Sequence, residues 1–336
     1  MNLFELTRAL ISIPSITGDE AEVGGFLVHY LESLNYRVEV REAEPGRANI
    51  FATQSTTAPR IVFSTHIDTV PPYIAFSEDD EYIYGRGACD TKGIIAAQIA
   101  AAEELRACGM AEIGLLFVVD EEVGSAGARL ANTYPQASAC RYLVNGEPTD
   151  NRLAVGSKGS LRLRIKTTGR AAHSAYPEQG ESAIEKLLEV LADVRRSEWP
   201  ANGFFGETTC NIGRIAGGTA SNVVPAEAHA DLHIRLVTDS APVKSALERV
   251  VAGRAAVEYL SVAEPVRMLA VEDFEQCVVR FTTDIPHLTN WGKPLLIGPG
   301  SILDAHTTNE RIAKRELVEA VALYVRLVRS LIARDQ

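Results

Sequence analysis

The sequence lacks a cysteine framework. Its five cysteines, Cys89, Cys108, Cys140, Cys210 and Cys277, are odd in number, widely separated and never spaced as CxxC. That pattern argues against a disulfide scaffold, a zinc finger and a thioredoxin-type motif, and favours a reducing compartment. Basic charge is also short: 33 Lys+Arg stand against 44 Asp+Glu, and the formal net charge of −11 repels nucleic-acid phosphates and anionic lipid. No apolar run approaches the roughly 20 residues of a membrane span, and residues 1–5 have neither the basic start nor the apolar core of a signal peptide. The glycines at Gly85 and Gly87 complete neither GxGxxG nor the Walker pattern, so no nucleotide site follows. A soluble, cytoplasmic protein without nucleic-acid or membrane partners is expected.

What is present is a chain of 336 residues, 46% of them hydrophobic, long enough for two domains. Helical periodicity opens it, and a second helix is expected to run from an acid-rich first turn at Thr17, Asp19 and Glu20 towards Tyr36. Short strands at 37–40 and 49–52 precede apolar runs at 60–65 and 113–119, which are separated by a helix at 92–107. This alternation predicts a buried, largely parallel sheet covered by helices. From 159 to 262 the order becomes strand, helix, strand, strand, helix, strand, the βαββαβ pattern of a ferredoxin-like unit able to close its own sheet. A helix at 271–282, a short strand at 294–297 and a long helix at 314–333 are expected to return to the first domain. The predicted division is therefore 1–158 with 263–336 as one discontinuous domain and 159–262 as an insertion.

The acidic and histidine residues fall where the apolar runs end. His66 and Asp68 close the first run in STHIDTVP, two residues apart and so on one side of an extended chain, which lets Asp68 orient the imidazole. Asp90 sits in the glycine-rich GRGACDTKG before a helix. Glu121 and Glu122 end the run at VVDEE, and Glu147 follows another short strand in NGEPT. Open α/β sheets place their sites at such carboxyl ends. One histidine with several carboxylates suits zinc, and His306, after the glycine-rich turn GPGSILDAH, is best placed to complete a two-metal set. A further free carboxylate is then needed to take a proton from water.

Alone, a Glu-Glu pair is more often a solvated helix start, and His66 a core or turn histidine. His229 and His233, alternating on a strand, read as structural, and Cys89 beside Asp90 lacks a demonstrable base for thiol catalysis.

These five separated motifs, in this order, resemble the zinc-dependent M20 peptidases and deacylases over almost the whole chain, from LISIPS at 10–15 to GPGS at 298–301 and AHT at 305–307. The resemblance implies a zinc-exopeptidase-like α/β fold, a mixed sheet with helices on both faces, and a ferredoxin-like lid and dimerisation domain. It implies that His66, Asp90 and Glu147 hold one Zn2+ and that Asp90, Glu122 and His306 hold a second, with Asp90 bridging and Co2+ or Mn2+ able to substitute. Two such ions would bring the formal charge of −11 to about −7. Glu121 matches the general base and Asp68 the orienting carboxylate. His173 in GRAAHS matches a lid histidine that reaches the partner subunit of a homodimer. Arg235 in HIRL matches a substrate-carboxylate ligand, and Asn222 in GGTASNVVP a substrate-contact loop. The implied reaction is hydrolysis of a small N-acyl amino acid, of the acetylornithine deacetylase kind. The alternatives are a dipeptidase or carboxypeptidase with the same centre and, from another class, a catalytically silent scaffold.

Overall fold

In the computed structural model, which describes residues 1–334, the apolar runs become neighbouring strands. Ile113–Val118 and Tyr142–Asn145 each pair in parallel with Ile61–His66, and Lys293–Leu296 pairs in parallel with Tyr142–Asn145. Every residue of Ile61–His66 and Ile113–Val118 is buried, as expected of strands covered on both faces.

The sheet is mixed rather than largely parallel. Arg47–Thr53 runs antiparallel to Ile113–Val118, and Arg37–Glu44 antiparallel to Arg47–Thr53. The reason is local: Glu44 pairs with Arg47 across Pro45 and Gly46, and Gly46 at φ 77 supplies the left-handed turn. So short a connection can only reverse the chain.

Alternate residues of these strands enter two cores. Ile61, Phe63, Leu115, Phe117 and Val144 pack with buried residues of Leu3–Ser12, Ala21–Ser33, Gly93–Ala107 and Lys314–Arg334. Val62, Leu116, Val118 and Leu143 pack on the opposite face with Ala128, Ala131, Tyr134 and Trp291. A small three-stranded sheet of Arg311–Ala313, Tyr82–Tyr84 and Ser77–Glu78 joins chain segments far apart in sequence.

Contacts divide the chain into one unit of Met1–Val155, Met268–Cys277 and the residues from Thr283 onward, and another of Gly156–Arg267 and Val278–Thr282. In the second, Gly159–Thr168, Ala183–Arg196, Thr209–Gly217, Glu227–Leu236, Ser240–Val251 and Ala256–Ala263 follow in the order βαββαβ. The second strand pairs with the third, the third with the first and the first with the fourth, all antiparallel, which is the ferredoxin-like order. Both helices bury their apolar stripes on one face of this sheet, Leu187 and Val190 from one and Val243 and Leu247 from the other.

The helix expected at 271–282 does not form. Asp273 takes a left-handed φ of 66, which interrupts any helix, and Gln276–Val279 is a strand. Its Cys277, Val278 and Val279 have the β preference that the helical reading passed over.

Candidate metal centre

Parallel pairing places the ends of the central strands on one edge of the sheet. His66 is the last residue of its strand and pairs with Val118, three residues before Glu121, while Ser64 pairs with Asn145, two residues before Glu147. Asp90 lies in the loop ahead of Gly93–Ala107, where it (φ −127, ψ 80) and Thr91 (φ −137, ψ 22) both depart from helical geometry. His306 follows Lys293–Leu296 and holds a left-handed φ of 62, uncommon for a residue with a side chain.

Asp90 stands between the two histidines. Its Oδ1 is 3.1 Å from His66 Nε2, and its Oδ2 is 3.1 Å from His306 Nε2. His306 Nε2 is also 3.0 Å from Glu122 Oε1, and His66 Nε2 is 4.0 Å from Glu147 Oε2. Donor atoms of His66, Asp90 and Glu122 lie within 4.8 Å of one another. One carboxylate therefore offers an oxygen to each of two histidine-carboxylate groups, the shape of a bridging ligand.

Asp68 acts both on His66 and on the turn that carries Glu121 and Glu122. The Nδ1 atom of His66 is 2.9 Å from the main-chain oxygen of Asp68 and 3.5 Å from its Oδ1, so the nearer orienting group is the carbonyl. The Asp68 carboxylate accepts the main-chain N–H groups of Glu121 at 3.1 Å and Glu122 at 3.3 Å, and the Thr17 hydroxyl at 2.8 Å. It thereby holds the turn that presents both glutamates. Burial would raise the Asp68 carboxyl, but His66 first, and then the Thr17 hydroxyl and the Glu121 N–H, outweigh it and keep the carboxyl below its ordinary value.

The electrostatics call for positive charge. Burial, reinforced by Glu147, pushes the Glu121 carboxyl well above its ordinary range, and burial with Asp90 and Asp284 does the same to Glu147 against the pull of His66. Burial opposes a proton on His66, yet Asp68 and Asp90 outweigh it and raise the imidazole well above its usual value. Asp90 and Glu122 push His306 up to about 10. The Oε1 atom of Glu147 is buried with no hydrogen-bond partner among the described residues. Crowded carboxylates, two imidazoles and an unused buried oxygen are the donor set that divalent cations satisfy.

The other expected residues belong to the second unit. His173 and Asn222 are exposed, and their loops are joined by Ser174 N–H to Asn222 C=O at 3.0 Å and Val224 N–H to Ala172 C=O at 2.9 Å. Arg235 lies on the helix-free face of its strand with His229 and His233, its Nη1 3.2 Å from Thr282 Oγ1. His233 Nε2 is 2.8 Å from Ser160 Oγ. Burial pushes the Cys89 thiol well above its ordinary value, which removes a thiolate from consideration.

The profile described as peptidase family M20/M25/M40 matches residues 62–330, a span holding every one of these motifs. The chain belongs to this family. A protein of Aspergillus niger named "Probable carboxypeptidase" is 39% identical to this M20 chain, the match covering 97% of this chain and 89% of the relative. An M20 family metallo-carboxypeptidase from Sulfolobus solfataricus superposes with a TM-score of 0.80 at 16% identity, covering 98% of this chain and 99% of the other. A Bacillus subtilis M20 peptidase described as dinuclear metal binding superposes at 0.70 with 15% identity, covering 98% of each chain. These structures share the fold of the M20 chain: a mixed sheet with helices.

Two residues near the M20 site were invisible to sequence reasoning. Asp284 is 1% exposed, and neither of its carboxylate oxygens has a hydrogen-bond partner among the described residues. Burial pushes its carboxyl up to about 7 although the charge of His66 pulls the other way. It follows the segment misread as helix, so nothing marked it. Glu310 is fully buried and touches the Asp90 loop. In sequence it reads as one more acid in a polar stretch.

Proposed function

We propose that this M20 chain is a metal-dependent carboxypeptidase that uses two divalent cations, with zinc the first candidate, to hydrolyse the amide before a free carboxylate. The observation that carries the reading is Asp90, whose two oxygens face His66 and His306 at 3.1 Å each. The 39% identity to a "Probable carboxypeptidase" over 97% of the chain favours the peptidase alternative over the acetylornithine deacetylase reading. A silent scaffold would need no free acid beside the ligands, yet Glu121 is there as well as Glu122.

Bound cations would supply Lewis acidity, polarising the scissile carbonyl and making water easier to deprotonate. His66, Asp90 and Glu147 would hold one and Asp90, Glu122 and His306 the other. Glu121 takes a proton from the attacking water and returns it to the leaving amine. Asp68 keeps Glu121 and Glu122 aimed by holding their main-chain N–H groups. Arg235 receives the substrate carboxylate through charge-assisted hydrogen bonds. His173 donates to the developing oxyanion, and the family resemblance assigns it to the partner subunit of a homodimer.

The test is a substrate panel on the purified full chain loaded with Zn2+, Co2+ or Mn2+: N-blocked dipeptides, their carboxamides, free dipeptides and N-acetyl amino acids. Blocked dipeptides with a free C-terminus should be cleaved with the highest kcat/KM. Preference for N-acetyl amino acids would restore the deacylase reading, and inertness towards every substrate would favour the scaffold.

A further inference from the structure

The carboxylate of Glu310 is fully buried and lies 2.5 Å from Arg86 Nη1, a contact between residues 224 positions apart. Its other oxygen accepts the main-chain N–H of Asp90 at 3.2 Å and lies 3.7 Å from Cys89 Sγ. The backbone joins in: Gly85 N–H donates to Glu310 C=O at 3.0 Å, and from Arg311 the chain runs antiparallel to Tyr82–Tyr84. His306 is on this same incoming segment, four residues earlier. Glu310 is therefore the joint at which the segment carrying one histidine is registered against the loop carrying Asp90.

A buried ion pair is by itself weak evidence for stability, because desolvation offsets most of its Coulombic gain and apolar residues of similar volume often serve as well. What apolar residues cannot do is accept the Asp90 N–H. A small displacement of that backbone would pull one carboxylate oxygen out of reach of His66 or His306, since each stands at hydrogen-bonding distance.

We propose that Glu310, held by Arg86, is the positioning residue that sets Asp90 between the two histidines, so that cation affinity depends on a pair touching neither cation. This rests on the two-cation reading of the site.

The test strips the full chain of metal and titrates it with Co2+, by calorimetry and by the visible Co2+ absorption that reports coordination geometry. The wild-type chain should take up two Co2+ ions. Arg86→Met with Glu310→Met removes the pair without leaving an isolated buried charge. It should bind the weaker Co2+ about 10- to 100-fold less tightly, the range for lost outer-shell partners, with an altered absorption band. Glu310→Gln, whose amide oxygen can still accept the Asp90 N–H, should recover part of that loss. Tyr324→Phe deletes a buried 2.8 Å bond to Ile297 C=O and should lower Tm while leaving the Co2+ titration unchanged. A double variant that binds both ions with wild-type affinity and spectrum overturns the proposal. If it does not fold, Glu310→Gln decides alone: wild-type behaviour overturns, a weakened second ion supports. A wild-type chain that takes up one Co2+ would instead defeat the two-cation reading, so the two failures are distinct.

Discussion

The Nε2 atom of His306 lies 3.0 Å from Oε1 of Glu122, although 184 residues separate them. Glu122 follows the second central strand, Ile113–Val118, and His306 the last, Lys293–Leu296, and only their shared sheet edge brings them together. The contact joins an imidazole to a carboxylate, a pair that two-metal hydrolases use to complete a ligand set.

Glu121→Gln should leave fold and metal content intact and lower kcat by at least about 100-fold, the low end for general acid/base catalysis. Elemental analysis alongside steady-state kinetics checks this. Loss of metal in the variant would mean that Glu121, and not Glu122, is the ligand.

Chelation should abolish hydrolysis and lower Tm, because a ligand that binds only the folded state at 1,000 times its Kd contributes about 4 kcal/mol. Added Zn2+ should restore both. Full activity in protein shown by elemental analysis to be metal-free would end the metallohydrolase mechanism.

Arg235→Met should raise KM for a blocked dipeptide far more than for its carboxamide, since only the former presents a carboxylate. Equal losses on both would reassign Arg235 to a structural role beside Thr282.

Mixing Glu121→Gln with His173→Ala tests the proposal that a homodimer shares its sites between subunits. Random reassortment makes half the dimers mixed, each with one complete site, so about a quarter of wild-type activity should return. No recovery, with subunit exchange verified, would place His173 at work in its own chain or nowhere.

His233 predicts an acid sensitivity unconnected with metal. Burial, with Arg235 and Arg162 nearby, holds its pKa down to about 4 from an ordinary 6.5. Between those values the unfolded chain binds more protons than the folded one, so stability falls as pH drops from about 6.5 to about 4. His233→Gln should flatten that fall, read as the change in urea midpoint between pH 7 and pH 4.5. An equal fall in both proteins would remove His233 as its source.

The central strands and most ligand candidates were readable because strands buried on both faces leave uninterrupted apolar runs, against which the polar residues at their ends stand out. His66 after IVFST, Glu121 and Glu122 after IGLLFVV, and Glu147 after YLVN are of this kind. The antiparallel margin was less so, since the hairpin at Pro45 and Gly46 shows the direction of a pair but not which neighbour it joins.

By itself the sequence determined the residue types of the site, the order of its motifs and the βαββαβ pattern of the second unit, because periodicity and strand-end position are local properties. Tertiary structure alone decided that Asp90 faces both histidines, that the carbonyl of Asp68 is nearer His66 Nδ1 than its carboxylate, and that Asp284 and Glu310 are buried acids. A carboxylate in water and one sealed inside a protein are the same letter in sequence. What separates them is the chain folded over each, and that is set by contacts as distant as Glu310 and Arg86.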